Sequence, residues 1–215
     1  MKIIGLAGRK RSGKDTVASI LRNNYNFSQL AYADSLKAVV KTLTGVEEPE
    51  DKESEVEFKI DVWDIVDISK EIDINPITLS SLLFINLKPW LIGAESGGSI
   101  PYKIPYRKLV QLVGTDVVRT INDDIWIERC EKRIDLLKKL NVSGIVVSDV
   151  RFNNEAQHIL NMGGEVWQIE RQGLMSDTHS SEVGIDSKYV SKVLYNNSTI
   201  EELELQVIKA MQEEE

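Results

Sequence analysis

Residues 8–16 read Gly8-Arg9-Lys10-Arg11-Ser12-Gly13-Lys14-Asp15-Thr16 and follow directly on the apolar run Ile3-Ile4-Gly5-Leu6-Ala7. The order is strand, glycine-bounded loop, then a helix beginning near Gly13. The spacing Gly8-x4-Gly13-Lys14 is that of a phosphate-binding loop. Main-chain N–H groups of such a loop point inward around a polyphosphate, and the helix N-terminus adds positive dipole. Glycine reaches the φ values the loop requires and lets phosphates approach the backbone. Lys14 then reaches the β- and γ-phosphates. On this spacing Gly8, Lys10, Arg11, Ser12, Gly13, Lys14, Asp15 and Thr16 are the candidate residues for binding a nucleoside triphosphate. The usual motif places Ser or Thr directly after the lysine to ligate Mg²⁺. Here that position is Asp15 and the hydroxyl comes one residue later, at Thr16.

Composition narrows the partners. The 215 residues suffice for one sizeable core with an insertion to spare. A formal net charge of -8 works against binding a nucleic-acid polymer. A small anionic substrate still fits, because Arg9, Lys10, Arg11 and Lys14 gather positive charge locally. Cys130 is the single cysteine, so no disulfide can form within the chain and a reducing compartment suits it. With one Cys and two His, a structural zinc site is not expected. No signal pattern and no apolar run of about 18 residues is present, and the cytoplasm is the expected location.

The alternation of patterns predicts an α/β fold: a parallel β-sheet flanked by helices, with one nucleotide site at the strand C-termini. Strands are expected at 2–7, 29–33, 144–148, 165–170 and 192–195. Helices are expected at 13–23, from Asp34 (as N-cap) to about Thr44, at 124–140, at 153–162 and at 199–212. The last would be capped by Ser198 with Glu201. Leu109, Val110, Leu112, Val113 and Val117 suit a buried helix face, interrupted at Gly114-Thr115-Asp116. Residues 46–105 read as an insertion over the active-site face, mobile in part. Within it Ile60 to Ile74 could be a short strand or a loose helix. The whole chain is then one domain, 1–215, with that insertion and a polar, glycine-containing segment at 171–187.

Asp149-Val150-Arg151-Phe152-Asn153-Asn154-Glu155 leaves the C-terminal end of strand 144–148, the edge that faces a ligand in this architecture. Phosphoryl transfer asks for positioning and charge stabilisation. Arg151 can fork onto phosphate oxygens. Asp149 could hold Mg²⁺, directly or through water. Glu155, four residues on, could aim the guanidinium, although a surface Arg–Glu pair would read the same way. Arg107 and Gln111 share a helix face and could clamp an acceptor phosphate and a base edge. Arg119 is a second candidate there.

Four segments together resemble one family, the deoxynucleoside monophosphate kinases of tailed bacteriophages. They are Lys10 to Thr16, Arg107 to Asp116, Ser148 to Arg151 followed by Glu155, and Asp177 to Gly184. The resemblance implies a P-loop kinase fold, the reaction ATP + dNMP ⇌ ADP + dNDP with Mg²⁺, and a homodimer. It implies that Lys14, Asp15 and Thr16 serve the donor phosphates and the metal. Arg107, Gln111, Thr115, Asp116 and Trp126 line the acceptor side, with Asp149, Arg151 and Glu155 between donor and acceptor. Residues 171–187 become a lid, with Arg171 at its start and His179 and Glu182 ordering it. Closure of a lid excludes water from the transfer. The competing readings are another small-molecule P-loop kinase, dephospho-coenzyme-A-kinase-like, and a nucleotide-binding switch or ATPase with no small acceptor.

Overall fold

A computed structural model describes residues 1–93, 99–174, 179 and 183–213. The chain divides into two compact units. One takes Met1–Tyr32 with Ile127–Glu215, the other Ala33–Trp126.

The first unit is built on five strands, β1 (Lys2–Ala7), β2 (Phe27–Leu30), β5 (Gly144–Val150), β6 (Glu165–Glu170) and β7 (Lys192–Tyr195). Their order is β2-β5-β1-β6-β7, and every pairing is parallel. Ile4 faces Val146 on one side, and Leu6 faces Trp167 on the other. A central strand of a parallel sheet is covered on both faces, so it reads as an unbroken apolar run. β1 does so, and its residues from Ile3 to Ala7 are buried. Helix α1 (Lys14–Tyr25) buries Val17, Ala18, Ile20 and Leu21, a stripe at helical spacing. They share a core with Leu203, Val207 and Ala210 of α9 (Ile200–Gln212). Helix α8 (Asn153–Asn161) covers β1 at Gly5, where a Cβ would press on Val150 and Ile159 at 2.9 and 3.1 Å. Parallel strands bring all their C-termini to one edge. The loops after β1, β2, β5, β6 and β7 are therefore neighbours, and they carry the phosphate-loop, Asp149 and Arg171 segments.

The second unit holds α2 (Ala33–Thr44), β3 (Glu55–Asp61), α3 (Val62–Glu71), α4 (Pro76–Leu87), β4 (Ser99–Pro105), α5 (Tyr106–Gln111), a π-helical stretch Leu112–Val118 and α6 (Arg119–Ile121). Helix α7 (Ile125–Lys139) follows. Strands β3 and β4 pair antiparallel from Glu55↔Pro105 to Asp61↔Ser99. Phe58 and Tyr102 stack on the buried face with ring centroids 5.6 Å apart, while Lys103 meets Glu55 and Glu57 at 3.3 Å on the wet face.

Several expectations shift. The stretch 60–74 is neither strand nor helix throughout: β3 ends at Asp61, whose side chain accepts from Trp63 N–H at 2.8 Å and starts α3. The expected insertion contains two helices, with Asn75 capping α4 and Pro76 in its first turn. Asp34 lies within the first turn of α2, which starts at Ala33, rather than capping it. The final helix is capped one residue later than expected: Thr199 Oγ1 accepts from Glu202 N–H at 3.3 Å. The helix from Tyr106 is widened at Gly114-Thr115-Asp116 and not interrupted. Among the described residues no helix is long and apolar enough to cross a membrane.

Candidate active site

The loop between β1 and α1 has the geometry that its spacing implies. Gly8 and Gly13 have φ of 141° and 107°, values closed to a residue with a Cβ without strain. Space forbids a side chain as well: a Cβ on Gly8 would collide with the Ile169 carbonyl, and one on Gly13 with the Asn196 amide. Arg11 is also left-handed, with φ 63°. Lys14 Nζ donates to the carbonyls of Gly8 and Arg9 at 2.7 and 2.9 Å. The ammonium thus lies folded over the loop. Ser12 is 1% exposed and its Oγ has no hydrogen-bond partner among the described residues. Asp15 is exposed and Thr16 half-buried, both in the first turn of α1.

A buried hydroxyl without a partner, a lysine held on main-chain oxygens and two glycines whose Cβ positions are blocked fit a polyphosphate. Among the described residues no group of three or more His, Cys, Asp or Glu side chains could hold a metal. Mg²⁺ bound through substrate phosphates needs only one or two protein oxygens. The hard oxygen donors Asp15, Thr16 and Asp149 are of the right chemistry.

Asn196 and Arg171 brace this loop. Asn196 Nδ2 donates to the Ser12 carbonyl at 2.8 Å, and its own N–H donates to Glu170 O at 2.7 Å. Arg171 reaches the Arg11 carbonyl at 3.5 Å. A cleft opens here, lined by Gly8, Ser12, Gln168, Arg171 and Asn197 among others. Asn196 and Asn197 were missed in the sequence. Their only signal there is an Asn-Asn pair directly after a strand end.

The segment after β5 carries Asp149, Arg151 and Glu155. Asp149 is half-exposed, and its Oδ1 accepts from Tyr32 N–H at 2.7 Å. Glu155 is 3% exposed. Its Oε2 accepts from the main-chain N–H of Arg151 at 2.8 Å and of Phe152 at 3.2 Å. Phe152 is the N-cap of α8, so its N–H has no intrahelical partner. Glu155 thus caps the backbone of its own turn, the one that leads on from Arg151. Asn153 and Asp186 exchange two hydrogen bonds, at 3.0 and 2.9 Å, which ties the start of α8 to the segment before β7.

In the second unit Arg107 and Gln111 both lie on α5. Arg107 Nε is 3.9 Å from Glu53, and Gln111 Nε2 is buried without a hydrogen-bond partner among the described residues. Thr115 and Asp116 lie on the π-helical turn, and Asp116 is 3.9 Å from Lys108. Trp126 is 3% exposed, and its indole N–H donates to the Gly114 carbonyl at 3.1 Å. The indole therefore supports the turn carrying Thr115 and Asp116. Arg119 is 8% exposed and pairs with Asp123 at 2.7 Å. His179 is half-buried, while Glu182 and residues 175–178 lie outside the described residues.

The profile of the family described as deoxynucleotide monophosphate kinase matches residues 2–87 and 99–207. A protein of Acanthamoeba polyphaga mimivirus, named provisionally as a deoxynucleotide monophosphate kinase, is 33% identical over 227 residues, covering 98% of this chain and 96% of its own. The deoxynucleotide monophosphate kinase of Escherichia phage RB69 is 26% identical, covering 98% of this chain and all (100%) of its own. The deoxynucleoside-5'-monophosphate kinase of Escherichia phage T5 is 27% identical, with 95% and 94% covered. Among solved structures, dephospho-CoA kinase from Campylobacter jejuni superposes with a TM-score of 0.47 at 13% identity, covering 99% of this chain and 96% of its own. The matched profile spans nearly the whole chain, the phosphate loop and the Asp149 segment included, and the chain belongs to the deoxynucleotide monophosphate kinase family.

Proposed function

We propose that this chain transfers the γ-phosphoryl group of ATP to a deoxynucleoside monophosphate, giving ADP and the deoxynucleoside diphosphate. The observation that carries the reading is the loop from Gly8 to Lys14: its glycines hold positive φ, and its lysine ammonium rests on the Gly8 and Arg9 carbonyls. Donor phosphates take up that ammonium and the loop N–H groups. Asp15, Thr16 and Asp149 are the residues that would hold Mg²⁺, which would supply charge neutralisation of the phosphates. Arg151 meets the charge that spreads over the transferring group. Arg107 holds the acceptor phosphate, and Gln111 offers its amide to the acceptor base. Arg171 braces the loop that takes up the donor phosphates.

ADP formation is to be measured with Mg-ATP and each common dNMP and NMP, beside a no-acceptor control and a folded Lys14→Ala variant. Turnover should require a dNMP and should vanish in the variant. ADP release without an acceptor would turn the reading toward an ATPase, and full turnover in the variant would remove the loop from the donor site.

A further inference from the structure

Tyr32 lies two residues beyond β2, is 2% exposed, and carries no charge that could meet a phosphate. It is nevertheless bonded to the Asp149–Glu155 segment through two separate groups. Its main-chain N–H donates to Asp149 Oδ1 at 2.7 Å. Its hydroxyl is 3.1 Å from the Glu155 carbonyl and 3.1 Å from His158 Nδ1. A phenol has one proton to give. A carbonyl can only accept, so the proton goes to Glu155 O, and His158 Nδ1 is the donor to the phenol oxygen. Burial, with Glu155, Cys130 and Asp149 close by, pushes the phenol well above its ordinary range. The hydroxyl therefore stays a donor at any working pH.

A tyrosine that merely filled the core would need only its ring. Here the hydroxyl holds the first turn of α8 at Glu155. On that same turn the Glu155 carboxylate holds the Arg151 and Phe152 N–H groups. The links run from the phenol to a helix turn, from that turn to a buried carboxylate, and from the carboxylate to the backbone that carries Arg151. The Tyr32 N–H fixes the Asp149 carboxylate independently. β2 is tied to β5 alongside: Ser148 Oγ accepts from Gln29 Nε2 at 3.1 Å and donates to Leu30 O at 3.3 Å.

We propose that Tyr32 is a positioning residue for phosphoryl transfer, setting the Arg151 segment through its hydroxyl. The inference rests on the proposed placement of Arg151 in the transfer step. The test is a double-mutant cycle on the full chain with Mg-ATP and the preferred dNMP: wild type, Tyr32→Phe, Arg151→Ala and both together. Tyr32→Phe keeps the ring and should fold. It should lower kcat by roughly 5- to 30-fold, through loss of the hydroxyl's bonds to Glu155 O and His158 Nδ1, while leaving both KM values within about twofold. Arg151→Ala should lower kcat by roughly 10²–10⁴. The double variant should be within about twofold of Arg151→Ala, because the hydroxyl works through that residue. A wild-type kcat in Tyr32→Phe overturns the inference. So does a full extra 5- to 30-fold loss on top of Arg151→Ala, which marks a general structural role. Wild-type kcat in Arg151→Ala would instead remove the placement of Arg151 on which the inference stands, and that arm reads it separately.

Discussion

Lys14 donates to two main-chain carbonyls, contacts that a bound polyphosphate replaces with charged oxygens at the same ammonium. Such an exchange favours the ligand, since hydrogen bonds between ionised partners are about twice as strong as neutral ones. Arg107 faces a similar choice, with the Glu53 carboxylate at 3.9 Å and a phosphate as the stronger partner. If Arg107 holds the acceptor phosphate, Arg107→Ala should raise the dNMP KM by roughly 10- to 100-fold, the loss of a charged hydrogen bond, with the ATP KM little changed. Steady-state kinetics with each substrate varied in turn separates the two, and a larger effect on ATP would move Arg107 to the donor side. Lys14 was legible in the sequence because loop and helix are contiguous there. Tyr32 and Asn196 were not, because their partners Asp149 and Ser12 lie 117 and 184 residues away along the chain. The bond from Glu155 to the backbone of its own turn was not legible either. A spacing of four fits a side-chain pair and a helix cap equally well.

Elements were readable where a single run of residues determines them. β1 and β5 are largely apolar runs buried in the sheet, β6 buries Val166, Trp167 and Ile169 between polar residues, and α1, α8 and α9 are amphipathic. β3 and β4 were hidden, because each finds its partner some forty residues away and buries only alternate residues. α4 was hidden by its apolar residues on every side, which blur helical periodicity. The π-helical stretch marks another long-range constraint. Gly114 is buried, and a Cβ there would strike the side chain of Leu36. Gly114→Ala should therefore destabilise the protein by about 1–3 kcal/mol, the range for an overpacked core. Urea unfolding of Gly114→Ala, alone and with Leu36→Ala, checks this. The cost of the alanine should shrink once Leu36 is shortened. An equal cost in both backgrounds would locate the strain in the widened helical turn itself.

Charge is the property of the whole molecule that bears most on its choice of substrate. A net charge of -8 repels polyanions, yet Arg9, Lys10 and Arg11 stand exposed on the loop between β1 and α1. The two scales act on different ligands. A mononucleotide meets only the local cluster, within a Debye length of about 8 Å. A DNA strand must bring many phosphates along an acidic surface, and its affinity comes from the number of cations it covers. The molecule should therefore hold nucleotides and ignore the polymer built from them. A fluorescently labelled single-stranded 20-mer should show no anisotropy change below roughly 100 µM protein at 0.15 M salt, which is the weak edge of ordinary non-specific binding, and should not inhibit dNMP turnover. Micromolar binding with a steep salt dependence would mean that the local cluster extends into a continuous basic path, and that the net charge had misled. Binding confined to low salt, at about one released ion, would mean instead that the strand's terminal phosphate had entered the loop as a mononucleotide does, and Lys14→Ala should then abolish it.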